Sequence, residues 1–254
     1  MSYWLKKNAE EVEVSPKLWL IDLDDTLINS NKALFPILHE RMTSFIENRL
    51  GLPHDEALSL RSSYWRRYGT TFLGLMKHHG VDPDEFLRET HDFDVYAVVD
   101  PDNELRRTIE RLPGRKVLYT NAPDSYAFAA IRRLRLQGVF CSVVTSSSAK
   151  GFGGERLPKP NARMMRMICA ENKVSPREVV FVDDSLHNLS IAAKEGFRCV
   201  WFVGYRASLV PTPSYVEARI SSIKDLHGLI SRRRIKKKAK NESFESPYAE
   251  GVVR

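Results

Sequence analysis

Five short apolar runs, each closed by a polar residue, constrain this chain more than any other feature. They are Leu18-Trp19-Leu20-Ile21 ending at Asp22, Val117-Leu118-Tyr119 ending at Thr120-Asn121, the weaker Val143-Val144-Thr145, Val179-Val180-Phe181-Val182 ending at Asp183-Asp184, and Cys199-Val200-Trp201-Phe202-Val203. Uninterrupted runs of this length read as parallel strands buried on both faces. Helical patterns lie between them. Ser125 to Arg135 follows Pro123-Asp124, Asn161 to Asn172 follows Pro160, and Leu186 to Glu195 stops at Gly196, a residue suited to the position after a helix. Strands alternating with helices predict an α/β fold with a Rossmann-like parallel sheet.

The interval between the first two runs breaks this rhythm. From about Asn31 to Val99 the apolar positions keep helical spacing: Leu34, Ile37, Leu38, Met42, Phe45 and Ile46, then Leu58 to Tyr68, Thr71 to Met76 and Glu85 to Thr90. Such a stretch is too long for a loop in a compact domain. The expected organisation is an N-terminal extension (1–16), a catalytic core made of 17–30 and 100–230, an inserted helical cap (31–99) and a basic tail (231–254). At 254 residues the chain is long enough for a core domain with a smaller insert. The net charge is +7, and eight Lys/Arg against three Glu after Ile230 supply five of those charges. The body is therefore nearly neutral. The tail reads as a disordered, solvated segment, with contact to nucleic acid as the alternative.

Cys141, Cys169 and Cys199 have no pairing or metal-knuckle spacing, and Cys141 and Cys199 read as small buried hydrophobes. The opening residues hold no long apolar stretch and no run approaches a membrane span. The expectation is a cytoplasmic protein without a membrane partner.

Open parallel sheets bind ligands outside the carboxyl ends of their strands. At that rim the pattern assembles Asp22, Asp24, Asp183 and Asp184, the pair Thr120-Asn121, and Lys159 between Pro158 and Pro160. Four carboxylates repel one another unless a cation joins them. Oxygen donors without His or Cys point to a hard ion, Mg²⁺. Mg²⁺ with a lysine and a threonine hydroxyl suits a phosphoryl group, for which Asp is an effective nucleophile. Asp24 is placed to act as general acid and then base.

These motifs resemble the haloacid dehalogenase superfamily of phosphatases. All four of its motifs have ordered counterparts: Asp22-x-Asp24-x-Thr26-Leu27, Thr120-Asn121, Lys159-Pro160, and Asp183-Asp184-Ser185 with Asn188 after it. The insert after the first motif matches members with a type C1 helical cap. Tyr68-Gly69-Thr70-Thr71-Phe72-Leu73-Gly74-Leu75, Tyr119 to Ala122 and Val182 to Ser185 are similar to the pyrimidine 5′-nucleotidase-like subgroup. The resemblance implies that Asp22 attacks phosphorus and ligates Mg²⁺. It implies that Asp24 protonates the leaving oxygen while its backbone carbonyl ligates the metal. Thr120 would hold a phosphoryl oxygen, and Asn121 would assist there or touch the substrate. Lys159 would neutralise the transition state. Asp184 is the first choice as metal ligand, with Asp183 a second ligand or a supporting group.

The implied activity is a Mg²⁺-dependent phosphomonoesterase acting on a small phosphorylated metabolite, a nucleoside monophosphate in the narrower reading. The alternatives are a phosphatase of a sugar phosphate or phosphoglycolate, and a catalytically idle member docking on RNA through its tail. Asp24 argues against a dehalogenase, since halide leaves without a proton; a mutase shares all four motifs. Asp25 reads as a turn cap, and Thr26 as either a turn brace or a substrate-side group. His78 and His79, adjacent on a helix, face different directions and read as surface or capping residues. Trp65 reads as cap core, with Tyr68 or Phe72 as candidates for reaching the substrate.

Overall fold

The computed structural model describes residues 16–205 and 209–230. The expected N-terminal extension, apart from Pro16, and the basic tail lie outside the described residues. Strands β1 (Leu18–Ile21), β2 (Arg115–Tyr119), β3 (Ser142–Val144), β4 (Val179–Asp183), β5 (Arg198–Phe202) and β6 (Val216–Ile220) form one sheet in the order β3-β2-β1-β4-β5-β6. Every neighbouring pair is parallel. The α/β expectation holds, with one strand more than the sequence patterns identified.

The period of two explains why the strands are apolar throughout. Trp19, Ile21, Leu118, Val180 and Val182 enter the core on one face of the sheet. Their neighbours Leu18, Leu20, Val117, Tyr119, Val179 and Phe181 enter the core on the other. With both faces covered, no strand position is left for a polar residue until the strand ends.

Five of the six described helices between β1 and β2 fall in the insert: α1 (Leu34–Leu50), α2 (His54–Tyr68), α3 (Thr71–His79), α4 (Pro83–Thr90) and α5 (Val95–Val98). The first four enclose a separate apolar cluster of Phe45, Ile46, Ala57, Phe72, Leu75, Val81, Phe86 and Leu87. Val95, Val98 and Val99 instead pack into the core beneath the sheet. The fold is therefore a parallel sheet with a helical insert that carries its own core.

The remaining helices are α6 (Leu105–Glu110), α7 (Asp124–Arg133), α8 (Ala162–Asn172) and α9 (Leu186–Lys194). Each of the last three opens immediately after a rim motif. Asn161 and Ser185 cap α8 and α9, accepting from Met164 N at 3.1 Å and Asn188 N at 3.4 Å. No described helix is long and apolar enough to cross a membrane.

Two expectations need correction. Trp65 is 63% exposed, outside the insert's core, because α2 turns that face to solvent. Cys141 is exposed, lying just before the edge strand β3, whereas Cys169 and Cys199 are buried.

Candidate active site

The strand order reverses direction at β1, which has β2 on one side and β4 on the other. In an open sheet this is where a crevice forms beyond the strand ends. Ile21 is in register with Leu118 and Val182, so Asp22 is level with Tyr119 and with Asp183, the last residue of β4, and Thr120 follows one residue on. Asp22 N extends the ladder by one bond to Val182 O at 3.0 Å. Asp22, Thr120 and Asp183 thus meet because three apolar runs end together.

Lys159 comes to them from the loop ahead of α8. Its Nζ bonds to Asp22 Oδ1 and, at 2.9 Å, to Asp183 Oδ2. All three side chains are nearly inaccessible, at 3%, 7% and 0% exposure. Asn121 fixes the lysine's backbone on both sides. Its Nδ2 donates to Lys159 O at 2.8 Å, and its Oδ1 accepts from Lys159 N at 2.7 Å. Lys159-Pro160 is a cis peptide.

Asp183 has both oxygens engaged. Oδ1 accepts from Ser185 N at 2.8 Å and Asn188 Nδ2 at 3.0 Å, while Oδ2 accepts from Lys159. Asp184 is half-buried beside it, with its backbone carbonyl bonded by Trp201 Nε1 at 2.9 Å.

The loop after Asp22 is tight. Leu23 O accepts from the amides of Leu27 and Ile28 at 2.8 and 3.0 Å. Asp25 takes the left-handed conformation (φ 55°) and receives the backbone amide of Asn31 at 3.1 Å, which makes it a brace of the turn. Thr26 is fully buried, and its Oγ1 has no hydrogen-bond partner. Asp24 Oδ1 accepts from Ser30 Oγ at 2.7 Å and Tyr126 OH at 2.8 Å.

The electrostatics follow from burial and crowding. Burial pushes the Asp22 carboxyl well above its ordinary range; Lys159 pulls it down, and Asp183 and Asp184 push it up again. Burial also raises Asp24, opposed by the bonds from Ser30 and Tyr126. Burial disfavours the Lys159 ammonium, but Asp183 and Asp22 outweigh it and hold the group above its ordinary value. Asp22, Asp24 and Lys159 all shift upward, the two acids through burial and the lysine through its carboxylate neighbours, and three carboxylates, Asp22, Asp183 and Asp184, share one ammonium.

That imbalance tests the fit of a metal. Asp22, Asp183 and Asp184 can each offer a carboxylate oxygen within 4.8 Å of the others, and no His or Cys joins them among the described residues. An all-oxygen, over-negative cluster fits a hard divalent cation.

The site thus gathers Asp22, Asp24, Thr120, Asn121, Lys159, Asp183 and Asp184. Sequence reasoning missed Ser30 and Tyr126 as partners of Asp24, and Asn188 as a partner of Asp183. Tyr126 had a faint signal, an aromatic residue in the first turn after the Thr120-Asn121 rim. His78 and His79 are elsewhere, on the surface of the insert, paired with the hydroxyls of Tyr68 and Tyr64 at 2.5 and 2.8 Å. Phe72 lies in the core of the insert. A cavity of about 600 Å³ lies between residues 88–96 and α7; none of Asp22, Asp24, Lys159, Asp183 and Asp184 lines it, and Tyr126, which bonds to Asp24, is in its wall.

Residues 16–196 match the family model of the haloacid dehalogenase-like hydrolases. Phosphate metabolism protein 8 of Saccharomyces cerevisiae is 24% identical over 71% of this chain and 59% of its own length, so the chain spans less than two thirds of that relative. Phosphoglycolate phosphatase 1 of Pseudomonas aeruginosa is 24% identical over 72% of this chain and 68% of its own. Among solved structures, a 2-haloacid dehalogenase from Pseudomonas syringae has a TM-score of 0.55 at 20% identity, covering 86% of this chain and 99% of its own. A haloacid dehalogenase-like protein from Agrobacterium tumefaciens has a TM-score of 0.53 at 19% identity, covering 87% and 100%. These two share the fold.

Proposed function

The chain belongs to the haloacid dehalogenase-like hydrolase family, and from that premise we propose that it is a Mg²⁺-dependent phosphomonoesterase working through an aspartyl-phosphate on Asp22. The observation that carries this reading is Lys159 bridging Asp22 and Asp183, with Asp184 alongside, at the switch point of the sheet.

Asp22 attacks phosphorus as the P–O bond to the leaving group breaks. Asp24 gives its proton to the departing oxygen, then takes one from the water that hydrolyses the acyl phosphate. Lys159 and the hydroxyl of Thr120 face the charge that builds on the phosphoryl oxygens. Asn121 keeps Lys159 in place. Asp22, the backbone carbonyl of Asp24 and Asp184 would hold Mg²⁺, with Asp183 as a second ligand or as the anchor of Lys159; its engaged oxygens favour the anchor. The bound ion supplies charge neutralisation at the phosphoryl group.

We place this chemistry in 17–30 and 100–230 and substrate choice in the insert, 31–99, in a cytoplasmic protein. A nucleoside monophosphate substrate is supported by the Tyr68 to Leu75 segment and its resemblance. A second reading, phosphoglycolate or another small phosphate ester, is supported by the name of the Pseudomonas relative. The test is phosphate release from a panel of pyrimidine and purine nucleotides, sugar phosphates and phosphoglycolate, with Mg²⁺ and with chelator. We expect release only with the metal, and a loss on the order of 10⁴-fold or more in Asp22→Asn. No release from any ester sinks the phosphatase reading. Indifference to the base sinks the pyrimidine one.

A further inference from the structure

Asp24 is held from two directions. Ser30, in its own loop, donates to Oδ1 at 2.7 Å, and Tyr126 donates to the same oxygen at 2.8 Å from 102 residues further along the chain. Both donors use one carboxyl oxygen, Oδ1, and neither occupies Oδ2.

The tyrosine is itself fixed. It stands in the first turn of α7, is 1% exposed, and sits at the rim where β2 ends. His91 and Phe93 pack on its ring with centroids 6.0 and 5.9 Å away. Those two residues belong to the stretch where the chain leaves α4 and returns from the insert to the core. Ser30 cannot supply this rigidity alone, because its hydroxyl is carried by the loop that it would have to orient.

We propose that Tyr126 is a positioning residue for the acid–base step: its hydroxyl occupies Oδ1 of Asp24, so that Oδ2 points at the leaving oxygen. The proposal rests on the reading of Asp24 as acid and base. A carboxyl group turned away by an ångström loses much of its value as a proton donor.

Tyr126→Phe removes one oxygen and keeps the ring between His91 and Phe93. It is assayed with two substrates, glycerol phosphate, whose alkoxide needs a proton to leave, and p-nitrophenyl phosphate, whose phenolate does not. We expect kcat/KM, which reports the steps up to formation of the aspartyl-phosphate and not its hydrolysis, to fall roughly 10–100-fold for the alkyl ester and less than about threefold for the aryl ester. The ratio of the two rates does not depend on how much of the variant is folded.

Equal losses on both esters assign Tyr126 a purely structural role and overturn the proposal, as does no loss on either. Asp24→Asn is the control and must show the same selectivity. Selectivity in the control alone overturns the Tyr126 proposal and leaves Asp24 as the acid. A control without selectivity overturns the acid–base reading, and this proposal with it. Wild-type protein inert on both esters overturns the phosphatase reading itself.

Discussion

Lys159 divides its ammonium between Asp22 and Asp183, with Asp184 close by, so the pocket holds more negative than positive charge. Much of this was legible in the sequence, because acids at the ends of apolar runs must share a rim. The bonds among them were not. That Asn121 spends its amide on the Lys159 backbone, or that Ser30 and Tyr126 meet on one oxygen of Asp24, depends on loop geometry that no spacing rule encodes. The charge excess has a consequence for stability. Burial raises the Asp22 carboxyl above the ordinary value of 3.8, so between that value and its raised one the folded protein keeps a proton that the unfolded chain has lost. Stability from this group is then full below 3.8 and is lost as the pH rises through the folded value. Asp22→Asn lacks the effect. Without metal, its melting temperature minus that of the wild type is expected to grow with pH above 3.8, and excess Mg²⁺ to shrink the difference. Paired thermal melts with chelator and with Mg²⁺ check this; a difference flat in pH would refute the burden on Asp22.

Strands buried on both faces were easy to find, and β6 was not. Val216–Ile220 reads VEARI, with only its ends buried, because an edge strand is covered on one side and keeps polar residues on the other. In the insert the Tyr68 to Leu75 segment was visible as a pattern, whereas the reason for Gly74 was not. Gly74 lies in α3 where Tyr64 of α2 crosses it, and a Cβ there would come within 2.2 Å of the tyrosine's Cγ. That atom is the root of the ring, which cannot swing aside without parting the two helices. Gly74→Ala gains about 1 kcal/mol of helix propensity and costs about 1–3 kcal/mol or more in overpacking. At this distance the clash wins. The variant is expected to melt a few degrees lower, roughly 2–4 °C per kcal/mol for a chain of this size. A melting temperature at or above wild type would show that α2 and α3 have room to separate.

Insert and core meet on both sides of Lys159. On one side Arg156, in the loop leading to Lys159, pairs with Asp84 in the first turn of α4. On the other, the turn at Gly69 approaches so closely that a Cβ would lie 3.5 Å from Pro160 Cδ and 3.7 Å from Lys159 O. The insert's existence could be read from its helical spacing. How it sits over the core could not, since it depends on single contacts such as these and on which face α2 presents; Trp65 went to solvent. The Arg156 guanidinium is nearly buried at 8% exposure and is also anchored by Ser146 O at 2.8 Å, while Asp84 is 53% exposed. A pair this open is worth at most about 1 kcal/mol. If it helps to hold the insert against the loop, Asp84→Ala shifts closure by no more than that, which caps the rise in KM at about fivefold. The chemistry is untouched, so kcat should stay within about twofold, and the melting temperature should barely move. An exposed pair is screened within a Debye length of about 8 Å at 0.15 M salt and about 3 Å at 1 M. The KM ratio of variant to wild type is therefore expected to approach one as salt is raised toward 1 M. A ratio that persists at high salt would mean that Asp84 acts by touching the substrate, and a ratio of one at every salt concentration would mean that closure does not depend on this pair.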